Sequence, residues 1–264
     1  MISGLPRPAL LFSAFLIGTA VQGQGACEGF GPQTPRDITE DTGTNTQLFP
    51  LAPPSTKMNL CNIHTHTNAE HRGPGFTESA GAGVHGGFQC DDTENLTEAQ
   101  MAMPEGLEPA IRNVVPGDTI EVHWVHTSCQ VSPGPGLESC LSDACANPTL
   151  RVETQVFLVV NDETALDFND FTYGGNVVDG FHQPKAIPDN TGEPVVFRGS
   201  TTGPSFSEAS CSPLQVTWSV RPQCARLSYQ SLNAWAANGN VFEEDSSHGI
   251  RALVTTPELL APLN

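Results

Sequence analysis

Two short segments of this chain carry histidines at spacings that suit metal chemistry. Residues 61–71 read Cys-Asn-Ile-His-Thr-His-Thr-Asn-Ala-Glu-His, and residues 118–126 read Asp-Thr-Ile-Glu-Val-His-Trp-Val-His. In an extended strand side chains alternate between faces, so His64 and His66 point the same way. With His123 from a neighbouring strand they would make a three-imidazole set. Such a set leaves one position open for water, as catalytic zinc sites do.

Glu121 strengthens the choice of His123 as the third ligand. It lies two residues earlier and therefore on the same face, where its carboxylate can accept the spare N–H of the imidazole. His126 would face the other way. Single polar residues on solvated strand faces are common, but five of the eight histidines fall in these two segments. We therefore predict a metal site.

The elements that must position these residues are mostly strands. Apolar, β-branched runs bounded by turn residues recur along the chain, long helical patterns are missing, and no internal repeat is visible. This pattern predicts a mainly β (β-rich α+β) fold, a single domain around a large mixed or antiparallel sheet. The predicted strands are Met58–His66, the run after the turn at 116–118, Arg151–Asn161 and Leu214–Val220, and one short helix is predicted in Leu96–Met103.

The N-terminus predicts a secretory signal peptide. Arg7 precedes an apolar run over residues 9–21, followed by small residues, which predicts cleavage near residues 20–26. We assign residues 1–23 to the signal and 24–264 to one catalytic domain, in a secreted or periplasmic protein without a membrane span. All eight cysteines lie in the mature part, which favours disulfides.

The charge narrows the range of partners. The formal net charge is −18 and the chain has only two lysines, which argues against binding nucleic acid or anionic membranes. It does not identify a substrate.

The motifs resemble a known family. Residues 62–66 (Asn-Ile-His-Thr-His), 69–71 (Ala-Glu-His) and 216–218 (Val-Thr-Trp) resemble delta-class carbonic anhydrases. Shorter pieces resemble the alpha class in the same order along the chain. These pieces are residues 33–38 (Gln-Thr-Pro-Arg-Asp-Ile), His64 and His66, residues 121–126, residues 200–204 (Ser-Thr-Thr-Gly-Pro) and residues 216–218. The interval between His66 and His123 is longer than in the alpha class, and the leucine before the threonine pair is missing.

The resemblance implies reversible hydration of CO2 to bicarbonate by a zinc-bound hydroxide, with Zn²⁺ on His64, His66 and His123. It also implies that the Thr201 hydroxyl accepts the hydrogen bond of that hydroxide. Glu70 and Glu153 are the candidates for orienting Thr201. The resemblance further implies an apolar substrate pocket formed by Val125, Val216 and Trp218, and a disulfide between Cys27 and Cys211.

Proton export needs an imidazole near its free pKa of about 6.5. His71 and His85 lie in glycine-flanked sequence near the site and are the candidates, whereas His182 and His248 have no motif around them and are interpreted as surface residues.

Two alternatives stay open on the residues. A cupin-type oxygenase or isomerase would bind iron or manganese with His64, His66, Glu70 and His123, since His-x-His followed by Glu fits the cupin spacing. A secreted zinc-binding protein is the other alternative, although this chain has no long His/Asp-rich tract.

Overall fold

The computed structural model describes residues 1, 27, 29–47, 49–201 and 211–263, which contain ten strands and two α-helices. Apart from residue 1, the predicted signal peptide lies outside the described residues. The strands are β1 (Asn59–Thr67), β2 (Glu78–Gly81), β3 (Gly87–Gln89), β4 (Thr119–Thr127), β5 (Leu150–Val160), β6 (Val177–Val178), β7 (Phe181–His182), β8 (Val195–Ser200), β9 (Gln215–Val220) and β10 (Ala225–Ser228). The helices are α1 (Glu98–Met101) and α2 (Tyr229–Ala237).

Six strands form the central sheet. Its order is β1-β4-β5-β9-β8, and β10 continues the sheet beside the end of β5. The pairs β1–β4, β4–β5 and β8–β9 are antiparallel, whereas β5 pairs with β9 and β10 in parallel. The prediction of a β-rich domain around a large mixed sheet is confirmed. β1 is at the edge of the sheet, so its outer backbone groups need partners from outside the sheet.

Side-chain alternation gives the sheet two different faces. One face packs a core that includes Val125, Val152 and Trp218. The opposite face packs Val122, Trp124 and Phe157 against α2 and neighbouring loops. Because strand side chains alternate, each face takes every second residue of a strand. Val156–Val160 of β5 is apolar throughout and fully buried, as expected for a strand covered on both sides.

Four disulfides cross-link distant parts of the chain. One of them, Cys90–Cys224, fixes the long insertion between β1 and β4, which carries β2, β3 and α1. The other three are Cys27–Cys211, Cys61–Cys140 and Cys129–Cys145. Four disulfides indicate a protein that folds outside the reducing cytoplasm. Within the described residues, no helix has the length and apolarity of a membrane span.

Candidate metal centre

His64, His66 and His123 converge on one face of the sheet. His64 lies directly opposite His123 in the β1–β4 pair, and His66 lies opposite Glu121. One nitrogen of each imidazole lies within 4.8 Å of the others, and His123 Nδ1 is 3.2 Å from His64 Nε2. The ring centroids are 4.7 to 5.0 Å apart. Strand alternation and antiparallel register are therefore sufficient to bring the three rings together.

Each imidazole uses its other ring nitrogen in a hydrogen bond that points away from the cluster. These outer partners fix the ring orientation and the tautomer, as they do around metal-binding histidines. They leave His64 Nε2, His66 Nε2 and His123 Nδ1 directed at one another, an arrangement that fits a cation with nitrogen ligands. The outer acceptors are Asn62 Oδ1 at 2.6 Å for His64, Gly249 O at 2.9 Å for His66 and Glu121 Oε1 at 2.7 Å for His123.

Burial keeps His64 and His66 neutral. It lowers the pKa of His66 to about 4 and the pKa of His64 well below its ordinary value, because a charged imidazole loses its hydration there. Neutral imidazoles have free lone pairs, which is the form that binds a metal ion.

Glu121 is the centre of a buried hydrogen-bond network. Its Oε1 also receives a bond from His71 Nδ1 at 2.8 Å, and its Oε2 accepts the backbone N–H groups of Glu70 and His71. Burial alone would raise the pKa of Glu121, but the charge of His71 and the bonds from His123 and His71 lower it to about 2. The carboxylate is therefore ionised and holds His123 from behind.

His71, one of the two candidates for proton export, is closed off from solvent. Its side chain is fully buried despite the nearby glycine, and its ring packs 4.8 Å from that of Trp218. With Nδ1 bound to Glu121, this imidazole has no contact with buffer. It supports the carboxylate that holds His123.

Glu70 is held by an arginine. Arg251 Nη2 lies 2.8 Å from Glu70 Oε1, and both side chains are largely buried. Burial raises the pKa of Glu70, but the Arg251 charge more than offsets this and lowers it well below the usual range. Glu153 is the other candidate for orienting Thr201. It lies opposite Trp124 in the β4–β5 register and therefore on the other face of the sheet from His123.

A cavity of about 370 Å³ opens above two of the histidines. One exposed imidazole, that of His248, reaches it. The His248 ring lies 6.0 Å from that of His64, and its Nε2 contacts Glu244 at 2.9 Å. No motif marked this histidine in the sequence. The lining residues are Asn62, His64, His66, Pro135, Gly136, Leu137, Phe242, Glu243, Glu244 and His248.

The predicted substrate-pocket residues lie behind the cluster. Val125, Val216 and Trp218 belong to the core on the histidine face, and the Trp218 ring is 5.0 Å from that of His123. All three are at most 1% exposed, and they do not line the cavity. The apolar groups that reach the cavity are Pro135, Leu137 and Phe242, which lie in loops without a recognisable pattern.

Thr201 follows the last residue of β8 and is tied to the N-terminal arm. Its N–H donates to Leu214 O, and the preceding Ser200 accepts a bond from Trp218 Nε1. Gln33 bonds both Ser200 and Ser212, so two residues that are distant in sequence from Gln33 are held by one buried side chain. The Cys27–Cys211 disulfide joins the same two regions.

His85 is exposed on the loop between β2 and β3. Its carbonyl oxygen accepts a bond from Asn68, two residues beyond His66, and the neighbouring Val84 accepts one from Ile250. The loop is thus attached beside the histidine cluster, and the His85 side chain is open to solvent.

Comparisons with known proteins place these motifs in context. Residues 55–231 match the family model described as delta carbonic anhydrase. One similar solved structure is an alpha-carbonic anhydrase from Thermovibrio ammonificans in complex with the inhibitor sulfanilamide. It shows 16% identity over 85% of this chain and 83% of that chain, with a TM-score of 0.34.

Another similar structure is a hyperthermostable carbonic anhydrase identified from an active hydrothermal vent chimney. It shows 14% identity over 88% of this chain and 86% of that chain, with a TM-score of 0.31. Both TM-scores are too low to establish a shared fold. A comparison with curated protein sequences found no match.

Proposed function

Because this chain belongs to the delta carbonic anhydrase family and is therefore a carbonate dehydratase, we propose that it is a secreted or periplasmic zinc enzyme that interconverts CO2 and bicarbonate. The observation that carries the proposal is the set of three imidazole nitrogens within 4.8 Å of one another, each with its other nitrogen already bonded. His64, His66 and His123 would hold the ion.

The donor set suits zinc. Three neutral nitrogen ligands are typical of catalytic zinc sites, and a zinc ion held by them lowers the pKa of water to near 7. Glu121, Asn62 and Gly249 would keep the three rings in place through their outer hydrogen bonds. The chain itself contributes the orientation of the three imidazole rings. Their hydrogen bonds to these acceptors keep the rings from rotating.

The remaining residues would bind CO2 and direct its attack. CO2 is apolar, and Pro135, Leu137 and Phe242 supply apolar surface at the cavity, with Val125, Val216 and Trp218 packed behind the histidines. The Thr201 hydroxyl would accept a hydrogen bond from the attacking oxygen and direct its lone pair at the carbon. Glu70, fixed by Arg251, is the candidate for orienting that hydroxyl. His85, exposed on its loop, would pass the released proton to buffer.

The cupin alternative is not supported. It requires Glu70 as a metal ligand, but the Glu70 carboxylate is occupied by Arg251, and the family match is to carbonic anhydrases. A zinc-binding protein without activity is also disfavoured by the family match.

The test is metal content alongside catalysis. The purified protein should contain about one zinc per chain, and stopped-flow measurements should detect CO2 hydration. Removing the metal with a chelator should abolish hydration, and adding zinc should restore it. A protein that hydrates CO2 equally well without metal, or that binds no zinc at all, would contradict the proposal.

A further inference from the structure

The residue between the two β1 histidines is held by a buried carboxylate from a distant part of the chain. Thr65 is fully buried at the edge strand of the sheet, and its side chain alternates away from His64 and His66. Glu244 Oε1 accepts both the Thr65 backbone N–H at 2.7 Å and the Thr65 hydroxyl at 3.1 Å. Without Glu244 these two buried donors would lose this acceptor, and an unpaired buried donor destabilises the folded state.

The turn that carries Glu244 is built to present this carboxylate. Asn240 Oδ1 accepts the backbone N–H groups of Phe242 and Glu244, and Asn240 Nδ2 donates to Glu244 O at 2.8 Å. The Glu244 side chain is only 6% exposed, and its other oxygen meets His248 Nε2 at 2.9 Å. Every oxygen of the carboxylate therefore has a donor.

We propose that Glu244 is a positioning residue that sets the spacing and direction of the His64–His66 pair through Thr65. The inference rests on the proposed function, because it concerns the same zinc site. Glu244 lies beyond residues 55–231, which match the family model. A displacement of Thr65 moves the backbone on both sides of it, so one lost contact disturbs two ligands at once.

The rest of the segment stays attached without the carboxylate. The His248 N–H donates to Thr65 O at 2.8 Å, and the His248 carbonyl accepts from Thr67 N at 2.7 Å. Arg112 forms an exposed double ion pair with Asp245. Replacing Glu244 by Ala should therefore loosen Thr65 and leave the chain folded.

The experiment compares zinc affinity, measured by competition with a chelator, in the wild type, Glu244→Ala, Glu244→Gln and Asp245→Ala. The Ala variant should bind zinc at least about tenfold more weakly, the lower end of what lost outer hydrogen bonds cost a metal site. Glu244→Gln keeps a neutral acceptor for Thr65 and should stay close to wild type. Asp245→Ala removes the neighbouring carboxylate from the same segment and should not change affinity, because exposed ion pairs contribute little.

The visible spectrum of the Co²⁺-substituted protein gives a second measurement, since it reports ligand geometry directly. It should change in Glu244→Ala and not in Asp245→Ala. If Glu244→Ala does not fold, Thr65→Val removes the hydroxyl donor and Thr65→Ser keeps it, so only the valine variant should lose affinity. Wild-type affinity in Glu244→Ala, or equal losses in Glu244→Ala and Asp245→Ala, would overturn the inference. A wild-type protein that binds no zinc would instead overturn the proposed function.

Discussion

His123 and His126 lie three residues apart on β4, and both are at most 2% exposed, but the two faces of the sheet treat them differently. His123 has a carboxylate on one ring nitrogen and another imidazole at the other. His126 bonds only the backbone oxygen of Trp124 through Nδ1, and its Nε2 has no partner among the described residues. Burial alone therefore does not distinguish the two imidazoles. Of the two, His123 has partners on both ring nitrogens.

The surroundings of the two faces repeat this contrast. On the His123 face, the network around Glu121 and the cavity beside His64 place polar groups next to the candidate metal site. On the His126 face, Trp124 and Val122 pack into the core that includes α2 residues. One face of β4 thus carries the candidate metal site, and the other packs against residues of α2.

The largest expected effect is a difference in metal content and CO2 hydration between variants of His123 and His126. His123→Ala should lose the metal and reduce CO2 hydration by more than about 100-fold, since losing a ligand costs more than losing an outer hydrogen bond. His126→Ala is the matched control and should keep one metal per chain while losing stability. Metal analysis and stopped-flow rates measure both. Full metal content in His123→Ala would remove His123 from the site.

The second effect is a pH-dependent stability on the His126 face. Burial lowers the pKa of His126 to about 4, whereas a solvent-exposed histidine has a pKa of 6.5. Between pH 4 and pH 6.5, His126 is therefore protonated in the unfolded chain but not in the folded protein. Stability should therefore fall as the pH drops from 6.5 to 4, by about 3 kcal/mol from this residue alone.

Denaturant unfolding at several pH values measures this effect in the metal-free protein. His126→Gln does not titrate and should show a smaller slope of stability against pH in the same window. An unchanged slope would mean that His126 is not held neutral by burial.

The third effect compares two carboxylates, Glu121 and Glu153, one on each face of the sheet. Glu121→Gln should weaken zinc binding by about 10- to 100-fold, because the amide cannot accept from both imidazoles and both backbone N–H groups. Glu153→Gln is the control, since Glu153 pairs with Arg151 on the other face. Chelator competition gives both affinities. Equal affinities in the two variants would make the difference between the faces irrelevant to metal binding.

The sequence predicted the features that depend on residues close together in the chain, namely strand positions and side-chain alternation. The alternation in β1 and β4 placed His64, His66, His123 and Glu121 on one face, and the main strands begin and end within about one residue of their predicted bounds. β8 was missed because its polar end obscures the apolar run, and α2 because nine residues give little helical periodicity.

Other parts of the site depend on contacts that sequence spacing does not reveal. His66 is oriented by a backbone carbonyl of Gly249, and Glu70 is held by Arg251, each more than 180 residues away. The glycine around His71 suggested a flexible loop, but packing against Trp218 buries the ring. His248 has no motif and reaches the cavity because residues near the C-terminus pair with the edge of β1.

The smallest expected effect concerns the transfer of protons from the histidine face to buffer. His85 is exposed, and its loop is bonded to Asn68 and Ile250 beside the cluster, whereas His71 is closed off. If His85 passes protons to buffer, His85→Ala should slow turnover several-fold in weak buffer. This is less than the roughly 100-fold that a positioned proton-transfer group typically contributes, because water and buffer compete for the same proton. Added imidazole should restore the rate, and kcat/KM for CO2 should barely change, since hydration precedes proton export.

His182→Ala is the matched control. His182 lies in the hairpin of β6 and β7, and its imidazole is hydrogen-bonded to the Tyr173 hydroxyl, so this variant should show no buffer dependence. A His85→Ala rate that equals wild type at every buffer concentration would assign proton release to water alone. The histidine face would then differ from the opposite face in metal binding, but it would have no side chain that transfers protons to buffer.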